Sequence, residues 1–138
     1  MLPVIPSRIH GILDYVVGLF LIAYPWLTFH VGGYETWVFV GLGVATLIYS
    51  ALTNYEWGLV KVLPMKAHLI IDLVGALFLI ASPWIFKFAW LVWLDHVIVG
   101  LFEVLVIALS HTVAYTSPAA AATGATLPAG AKPAGLTR

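Results

Sequence analysis

The chain carries one segment twice, and this duplication constrains its fold more than any other feature. Residues 6–26 and 64–84 align without a gap, at the constant offset that separates His10 from His68. The identical positions include Pro6, His10, Asp14, 19–23, Pro25 and Trp26 in the first copy, and Pro64, His68, Asp72, 77–81, Pro83 and Trp84 in the second. A repeat of this length predicts two copies of one structural unit.

The duplicated segments are too apolar for a soluble protein. Hydrophobic residues make up 62% of the chain and charged residues only 9%, against about 25% charged residues in soluble domains. Four apolar stretches, at about 8–29, 36–53, 65–86 and 92–113, approach the roughly 20 helical residues that cross a bilayer. We therefore predict an all-α integral membrane four-helix bundle, built from two tandem transmembrane helical hairpins. The second stretch is the shortest, and an alternative in which it only dips into the bilayer is left open.

The predicted domain organisation follows from the duplication. A transmembrane domain is expected over residues 1–114, with repeat one at about 6–54 and repeat two at about 64–114. Because each repeat has two helices, both repeats point the same way and are related by a pseudo-two-fold axis along the membrane normal. Between them, Tyr55 and Trp57 are expected at the level of the lipid headgroups. Residues 115–138 are rich in Ala, Gly and Pro and are expected to form a flexible cytoplasmic tail.

The basic residues predict the orientation. Most of them fall on one side of the predicted helices. These are Arg8, Lys61, Lys66, Lys132 and Arg138, with Lys87 alone on the other side. The excess of basic residues on cytoplasmic loops then places both termini in the cytoplasm.

Ionisable residues inside the apolar stretches are the candidate functional residues. His10 and Asp14 are four positions apart, hence on one helix face, and so are His68 and Asp72. Glu103 lies near the middle of the fourth stretch, at a similar predicted depth. We expect these five side chains to share one buried polar layer, which is costly in a membrane and points to a role.

The second helices of the two repeats resemble each other less than the first helices do. Aligning Gly100 with Gly41 places Glu103 opposite Val44, so Glu103 has no acidic counterpart in repeat one. Glu35 and Asp95 are predicted to be acids in the first turn of a helix, where they complement the helix dipole. The remaining histidines are expected near helix ends, in contact with water. They are His30, His96 and His111.

Three interpretations of the buried polar layer remain open. In the first, each histidine bonds an aspartate and clamps the two repeats together. In the second, Glu103 and the His/Asp pairs relay protons or cations. In the third, they bind a metal, or His10 and His68 are the axial ligands of a haem. The spacings match no specific metal motif, so we adopt the first interpretation and predict no cofactor and no metal.

The duplicated motif resembles the SPW repeat family of small bacterial integral membrane proteins. The resemblance covers residues 6–114 and implies a bacterial inner-membrane protein with two transmembrane helices per repeat and no established activity. The motif residues are expected to end a helix and to anchor it at the membrane interface. They are Tyr24, Pro25 and Trp26 in repeat one and Ser82, Pro83 and Trp84 in repeat two. Tyr24 departs from the motif, which argues against a catalytic role for the serine.

The sequence gives catalysis little support, and we leave enzymatic activity undecided while favouring its absence. Cysteine is absent, and no nucleophile–base arrangement or glycine-rich phosphate loop is found. We expect a structural or accessory membrane protein that packs in the lipid bilayer as a homo-oligomer or within a larger complex, without nucleic acid. A proton- or ion-coupled channel or carrier is the alternative, followed by a haem- or metal-binding module.

Overall fold

The computed structural model describes residues 4–112, which contain four α-helices. They are α1 (Ser7–Leu27), α2 (Tyr34–Ala51), α3 (Met65–Ile85) and α4 (Ala89–Leu109). No strand forms within this range, apart from isolated bridges, and the predicted all-α class is confirmed. The tail predicted for residues 115–138 lies outside the described residues.

Three of the four helices are long and apolar enough to cross a membrane: α1, α3 and α4. Helix α2 is the shortest, with 18 residues, and corresponds to the shortest stretch predicted from the sequence. Its first turn contains Glu35, as predicted, whose carboxylate accepts a hydrogen bond from the backbone N–H of Gly33 at 3.0 Å. The prediction for Asp95 was wrong for α4 as a whole, because α4 begins at Ala89 and Asp95 lies beyond its first turn. Asp95 lies in the first turn of the segment that follows the kink at Val92.

The first helices of the two repeats end in the same way. Phe29 and Lys87 occupy equivalent positions just beyond α1 and α3, with φ angles of 60° and 61°. The residue after each of them donates its backbone N–H to the carbonyl of Pro25 or Pro83, at 3.0 and 2.9 Å. A residue in the left-handed conformation, followed by a hydrogen bond to the carbonyl five residues earlier, is a common way to satisfy the last carbonyls of a helix. The Pro-Trp motif therefore lies in the final turn of each helix.

Small residues let the helices within each repeat approach closely. A methyl group added at Gly43 of α2 would lie 2.6 Å from the carbonyl oxygen of Gly18 in α1. In repeat two, a methyl group at Gly100 of α4 would lie 2.9 Å from the carbonyl oxygen of Ala76 in α3. Ala76 is the counterpart of Gly18, so Gly43 and Gly100 are structurally equivalent.

This equivalence corrects the alignment of the second helices. The sequence alignment matched Gly100 with Gly41, but the helix contacts match it with Gly43. Glu103 therefore lies opposite Thr46 rather than Val44. The error arose because α2 and α4 share too few identical residues to fix their register, whereas the close approach of the helices does fix it.

Short backbone bridges connect the two repeats. Ile5, before α1, pairs with Ser110, after α4, and Leu63, before α3, pairs with Thr53, after α2. The end of each repeat is thus joined to the beginning of the other. These bridges gather the start of α1 and α3 and the end of α2 and α4 at one end of the bundle. A cluster of buried apolar residues fills the bundle further along; it contains Leu21, Val38, Phe39, Leu79, Phe88 and Val92.

Candidate functional site: a buried histidine and aspartate centre

Four of the predicted site residues meet inside the bundle. His10, Asp14, His68 and Asp72 each offer one ligand atom, and these atoms all lie within 4.8 Å of one another. Both histidines are 0% exposed, and the aspartates are 5% and 6% exposed. We call these four residues the His/Asp centre.

Each histidine contacts both aspartates. His10 Nε2 lies 3.3 Å from Asp14 Oδ1 and 3.1 Å from Asp72 Oδ2. His68 Nε2 lies 3.1 Å from Asp14 Oδ2 and 3.1 Å from Asp72 Oδ2. One contact of each histidine is within its own helix, one turn away, and the other crosses to the other repeat. The centre therefore lies where the two repeats meet.

Side-chain hydroxyls hold the outer nitrogen of each histidine. His10 Nδ1 lies 2.8 Å from Ser110 Oγ, and His68 Nδ1 lies 2.7 Å from Thr53 Oγ1. Each hydroxyl donates its own proton to a carbonyl four residues earlier in the chain, at 2.6 and 2.7 Å. A hydroxyl has one proton, so both oxygens can only accept from the imidazoles. Both histidines consequently carry a proton on Nδ1 and direct Nε2 into the centre.

Each of these hydroxyls comes from the repeat that does not contain its histidine. Ser110 follows the last helix of repeat two and holds His10, and Thr53 follows the last helix of repeat one and holds His68. The backbone bridges that join the repeats place both hydroxyls at this depth. The same pseudo-symmetric arrangement thus orients both imidazoles.

Two tyrosines hold the aspartates. The hydroxyl of Tyr49, on α2, donates a short hydrogen bond to Asp72 Oδ1. The hydroxyl of Tyr55 lies 3.3 Å from Asp14 Oδ2 and donates to it. Burial, and then the negative charge of Asp14, raise the pKa of Tyr55 above its ordinary value, so its phenol stays protonated as a donor.

Tyr55 corrects the prediction for the connection between the repeats. It was expected at the level of the lipid headgroups, but it is 0% exposed and lies against Gly11, where a side chain would collide with its ring. The connection folds back over the start of α1, where Trp57 Nε1 donates to the carbonyl of Arg8 at 3.0 Å. Trp57 itself is partly exposed. Removing the ring of Tyr55 from water and bonding its hydroxyl favours the inward position.

Glu103 lies beside the centre and is not one of its members. It is half-buried and lines a cavity of about 300 Å³ between α2 and α3. The walls of the cavity are mostly apolar, and its polar residues are Thr46, Tyr49, Asp72 and Glu103. The structure gives the Glu103 carboxylate no hydrogen bond within residues 4–112. The predicted layer of five ionisable residues is therefore a centre of four, with Glu103 in the neighbouring cavity.

The prediction that His96 contacts water was wrong. Its side chain is 0% exposed and packs against the rings of Phe39 and Phe88, at centroid distances of 4.1 and 4.8 Å. Its Nδ1 lies 3.1 Å from the carbonyl oxygen of Val92. Because α4 begins at Ala89, His96 is two turns inside the helix and faces the core. His30 is exposed and His111 is partly exposed.

The motif residues lie at the opposite end of α1 and α3 from the His/Asp centre. Pro25 and Pro83 are fully buried, whereas Trp26 and Trp84 are 51% and 56% exposed. Ser82 is buried and donates to the carbonyl of Leu79 in its own helix at 2.8 Å. Its counterpart Tyr24 packs its ring against Phe39 at a centroid distance of 5.1 Å. The Ser82 hydroxyl is therefore engaged in its own helix.

Sequence reasoning did not identify the residues that support the centre. Tyr49, Thr53 and Tyr55 were not predicted as site residues, and Ser110 was not assigned to His10. The sequence did contain a signal for the two hydroxyls. Thr53 and Ser110 follow the second helices, and His10 and His68 lie near the start of the first helices, so all four are expected at one end of the bundle. Tyr49 lies one turn before Thr53. Nothing in the sequence marks Tyr55, whose position depends on the fold of the connection.

The geometry limits what the centre can hold. A haem with His10 and His68 as axial ligands does not fit, because the carboxylates of Asp14 and Asp72 lie against both Nε2 atoms where the porphyrin plane would be. Shared protons or one small cation do fit between the four groups. Two imidazoles and two carboxylates suit several first-row metals.

Comparison with known proteins agrees with this architecture. Residues 8–111 match the SPW repeat domain, which covers both hairpins and the whole His/Asp centre. No curated protein and no solved structure matches the chain. Since the match extends over most of the sequence, the chain belongs to the SPW repeat family.

Proposed function

We propose that this protein is a structural or accessory integral membrane protein, in which the His/Asp centre clamps two hairpins into one unit. The observation that carries this proposal is that each histidine contacts an aspartate of its own repeat and an aspartate of the other. In a membrane, where apolar contact with lipid replaces apolar contact between helices, polar bonds of this kind contribute about 0.6–2 kcal/mol each. Several converging bonds would fix how the repeats pack.

Burial of the centre supports a structural role. The four side chains are nearly inaccessible, and Tyr55 covers one side of them. Of the four residues, only Asp72 lines the cavity between α2 and α3, whereas a site that acts on a dissolved substrate needs an open cleft. The groups that orient it are fixed by internal hydrogen bonds, as expected for a rigid connection.

The outer surface supports packing within the membrane. Large apolar side chains are exposed along all four helices, among them Val16, Ile48, Val74 and Leu105. Lipid covers part of this surface, and we propose that the rest packs against further copies of the chain or a larger membrane complex. We place the protein in the bacterial inner membrane with both termini cytoplasmic, since Arg8, Lys61 and Lys66 cluster at the end of the bundle that carries the centre.

Mild extraction of the native protein tests the accessory role. We expect cross-linking in intact membranes, followed by native mass spectrometry, to give a defined homo-oligomer or a complex of fixed stoichiometry. A lone monomer in membranes at native abundance would contradict the proposal. Unrelated membrane proteins of similar abundance provide the control for random encounters.

Stability measurements test the clamp separately. Replacing Asp14 or Asp72 with Asn keeps the size of the side chain and removes its charge, and we expect each variant to lose about 1–3 kcal/mol of unfolding free energy. The matched control is Glu35→Gln, which removes the charge of a partly buried carboxylate outside the centre and leaves an amide oxygen that can still accept from Gly33. Unchanged stability in both aspartate variants would refute the clamp.

The cavity between α2 and α3 favours a second candidate, a proton- or ion-coupled channel or carrier. It brings Asp72 and Glu103 to the same space, and Glu103 has a carboxylate that no described side chain bonds. Reconstituted vesicles test this candidate with Glu103→Gln, Asp14→Asn and Asp72→Asn. Flux of protons or common cations above that of empty vesicles, and lost in these variants, supports it. Flux indistinguishable from empty vesicles in the wild type removes it.

A further inference from the structure

We propose that the His/Asp centre binds one divalent first-row transition-metal cation such as Zn²⁺. The ligands would be Nε2 of His10 and His68 and one carboxylate oxygen each from Asp14 and Asp72. This inference deepens the proposed clamp and rests on it, since a cation at this point would join the two repeats directly.

The distances suit a four-coordinate ion. Zinc binds imidazole nitrogen and carboxylate oxygen at about 2.0–2.2 Å in tetrahedral geometry, so neighbouring ligand atoms lie about 3.3–3.6 Å apart. The nitrogen–oxygen distances in the centre are 3.1–3.3 Å. All four ligand atoms lie within 4.8 Å of one another, so the more distant pairs must approach by up to about 1.5 Å to admit the ion.

The imidazoles already have the orientation that a metal requires. Because Ser110 and Thr53 can only accept, each histidine keeps its proton on Nδ1 and directs Nε2 to the centre. Metal-binding histidines are typically oriented in this way, by a hydrogen bond from the second ring nitrogen. His68 Nε2 is buried and has no aligned hydrogen-bond partner within residues 4–112, although two carboxylate oxygens lie 3.1 Å away. His10 Nε2, in contrast, is hydrogen-bonded to Asp72 Oδ2 at 3.1 Å. A cation between the four groups would replace that bond and give His68 Nε2 a partner.

Charge balance points to a divalent ion. Two carboxylates carry two negative charges, and burial of unbalanced charge in a membrane is costly. Either two protonated histidines or one divalent cation with two neutral histidines makes the centre neutral. Closed sites with four protein ligands are structural rather than catalytic.

Metal content of the full-length protein tests the inference. We would express the chain with zinc in the medium, purify it in mild detergent, dialyse it against EDTA and measure zinc by mass spectrometry. We expect about one zinc per folded chain, retained because the ligands are buried. Reconstitution with Co²⁺ should give the intense visible bands of a four-coordinate site.

Variants distinguish the centre from adventitious binding. His68→Gln and Asp72→Asn should abolish stoichiometric zinc, whereas His30→Gln, which removes an exposed histidine, should leave it unchanged. Thr53→Val removes only the bond that orients His68, and should weaken zinc binding about 10–100-fold. This variant keeps the inference testable if the ligand variants do not fold.

The outcomes separate the metal from the clamp. Folded wild-type protein without zinc, which also fails to take up Zn²⁺ or Co²⁺ when refolded with either ion, overturns the inference. Zinc that persists in both His68→Gln and Asp72→Asn overturns it as well. If zinc is absent and Asp72→Asn still destabilises the protein, the clamp stands without a metal. If zinc binds to the wild type, but the metal-free Asp14→Asn and Asp72→Asn variants are as stable as the metal-free wild type, the clamp is lost and the metal site remains.

Discussion

The close approach of α1 and α2 permits a quantitative test with one pair of substitutions. Gly43→Ala would place a methyl carbon 2.6 Å from the carbonyl oxygen of Gly18, whereas such contacts are comfortable at about 3.4 Å. The obstructing atom belongs to the backbone, so no side-chain rotation relieves the collision and the helices must separate by about 0.8 Å. Gly41→Ala is the matched control, because Gly41 lies two residues away on the same helix with nothing within 4 Å of an added methyl group.

The expected magnitude follows from comparing the two variants. Both substitutions gain the same helix propensity, about 1 kcal/mol in water, so this contribution cancels in the difference. Overpacking of a well-packed interface costs about 1–3 kcal/mol. We therefore expect Gly43→Ala to be less stable than Gly41→Ala by about 1–3 kcal/mol.

Reversible unfolding in mixed micelles, followed by circular dichroism, measures this difference. Gly18→Ala provides an intermediate case, because its methyl group meets mainly the end of the Leu47 side chain and repeat two already has Ala76 at this position. We expect Gly41→Ala to be the most stable of the three variants, Gly18→Ala to be intermediate and Gly43→Ala to be the least stable. Equal stability of Gly43→Ala and Gly41→Ala would refute the close approach and, with it, the corrected register of the second helices.

Three further predictions concern the centre and the cavity. Thr53→Val leaves the outer N–H of His68 without its acceptor, and should lower the unfolding free energy by about 1–3 kcal/mol in mixed-micelle titrations; a change below about 0.5 kcal/mol would contradict this bond. The pKa of Tyr55 is raised by burial and by Asp14 above its ordinary value of 10.0, so the unfolded chain loses this proton first as the pH rises, and stability should fall above about pH 10. Tyr55→Phe should show a shallower fall, and identical pH profiles would refute the assignment. Gly75→Val adds apolar volume where the cavity is open, and should leave stability unchanged or increased; if the cavity conducts ions, the same variant should reduce flux.

The fold could be predicted because membrane helices leave a strong signal. Three of the four helices, α1, α3 and α4, are long and apolar enough for a bilayer crossing, and the observed α3, Met65–Ile85, differs from the predicted 65–86 by one residue. The duplication then supplied the pairing of helices into hairpins. At α4, the prediction began three residues late, because the helix has an extra turn from Ala89 that precedes the kink at Val92 and that hydropathy does not mark.

Part of the candidate site was equally accessible to sequence reasoning. His10 and Asp14 share a helix face by spacing alone, and the duplication repeats the pair at equal depth. Tyr55 could not be predicted, because an aromatic residue in a short connection is as consistent with lipid headgroups as with the interior. His96 was misplaced for a related reason, since its burial depends on where α4 begins and on which residue of α2 it faces.

Because the end of each repeat pairs with the beginning of the other, this polypeptide has the geometry of a homodimer whose two subunits are linked into one chain. Each half supplies one histidine, one aspartate and one hydroxyl to a shared axis, so two separate copies of a single hairpin could assemble the same centre. Covalent linkage frees the halves to diverge. They have done so at one flank of the axis, where Gly75 in repeat two replaces Val17 of repeat one and opens the cavity beside Glu103. Whatever that cavity accommodates, a symmetric ancestor would have had two such cavities or none.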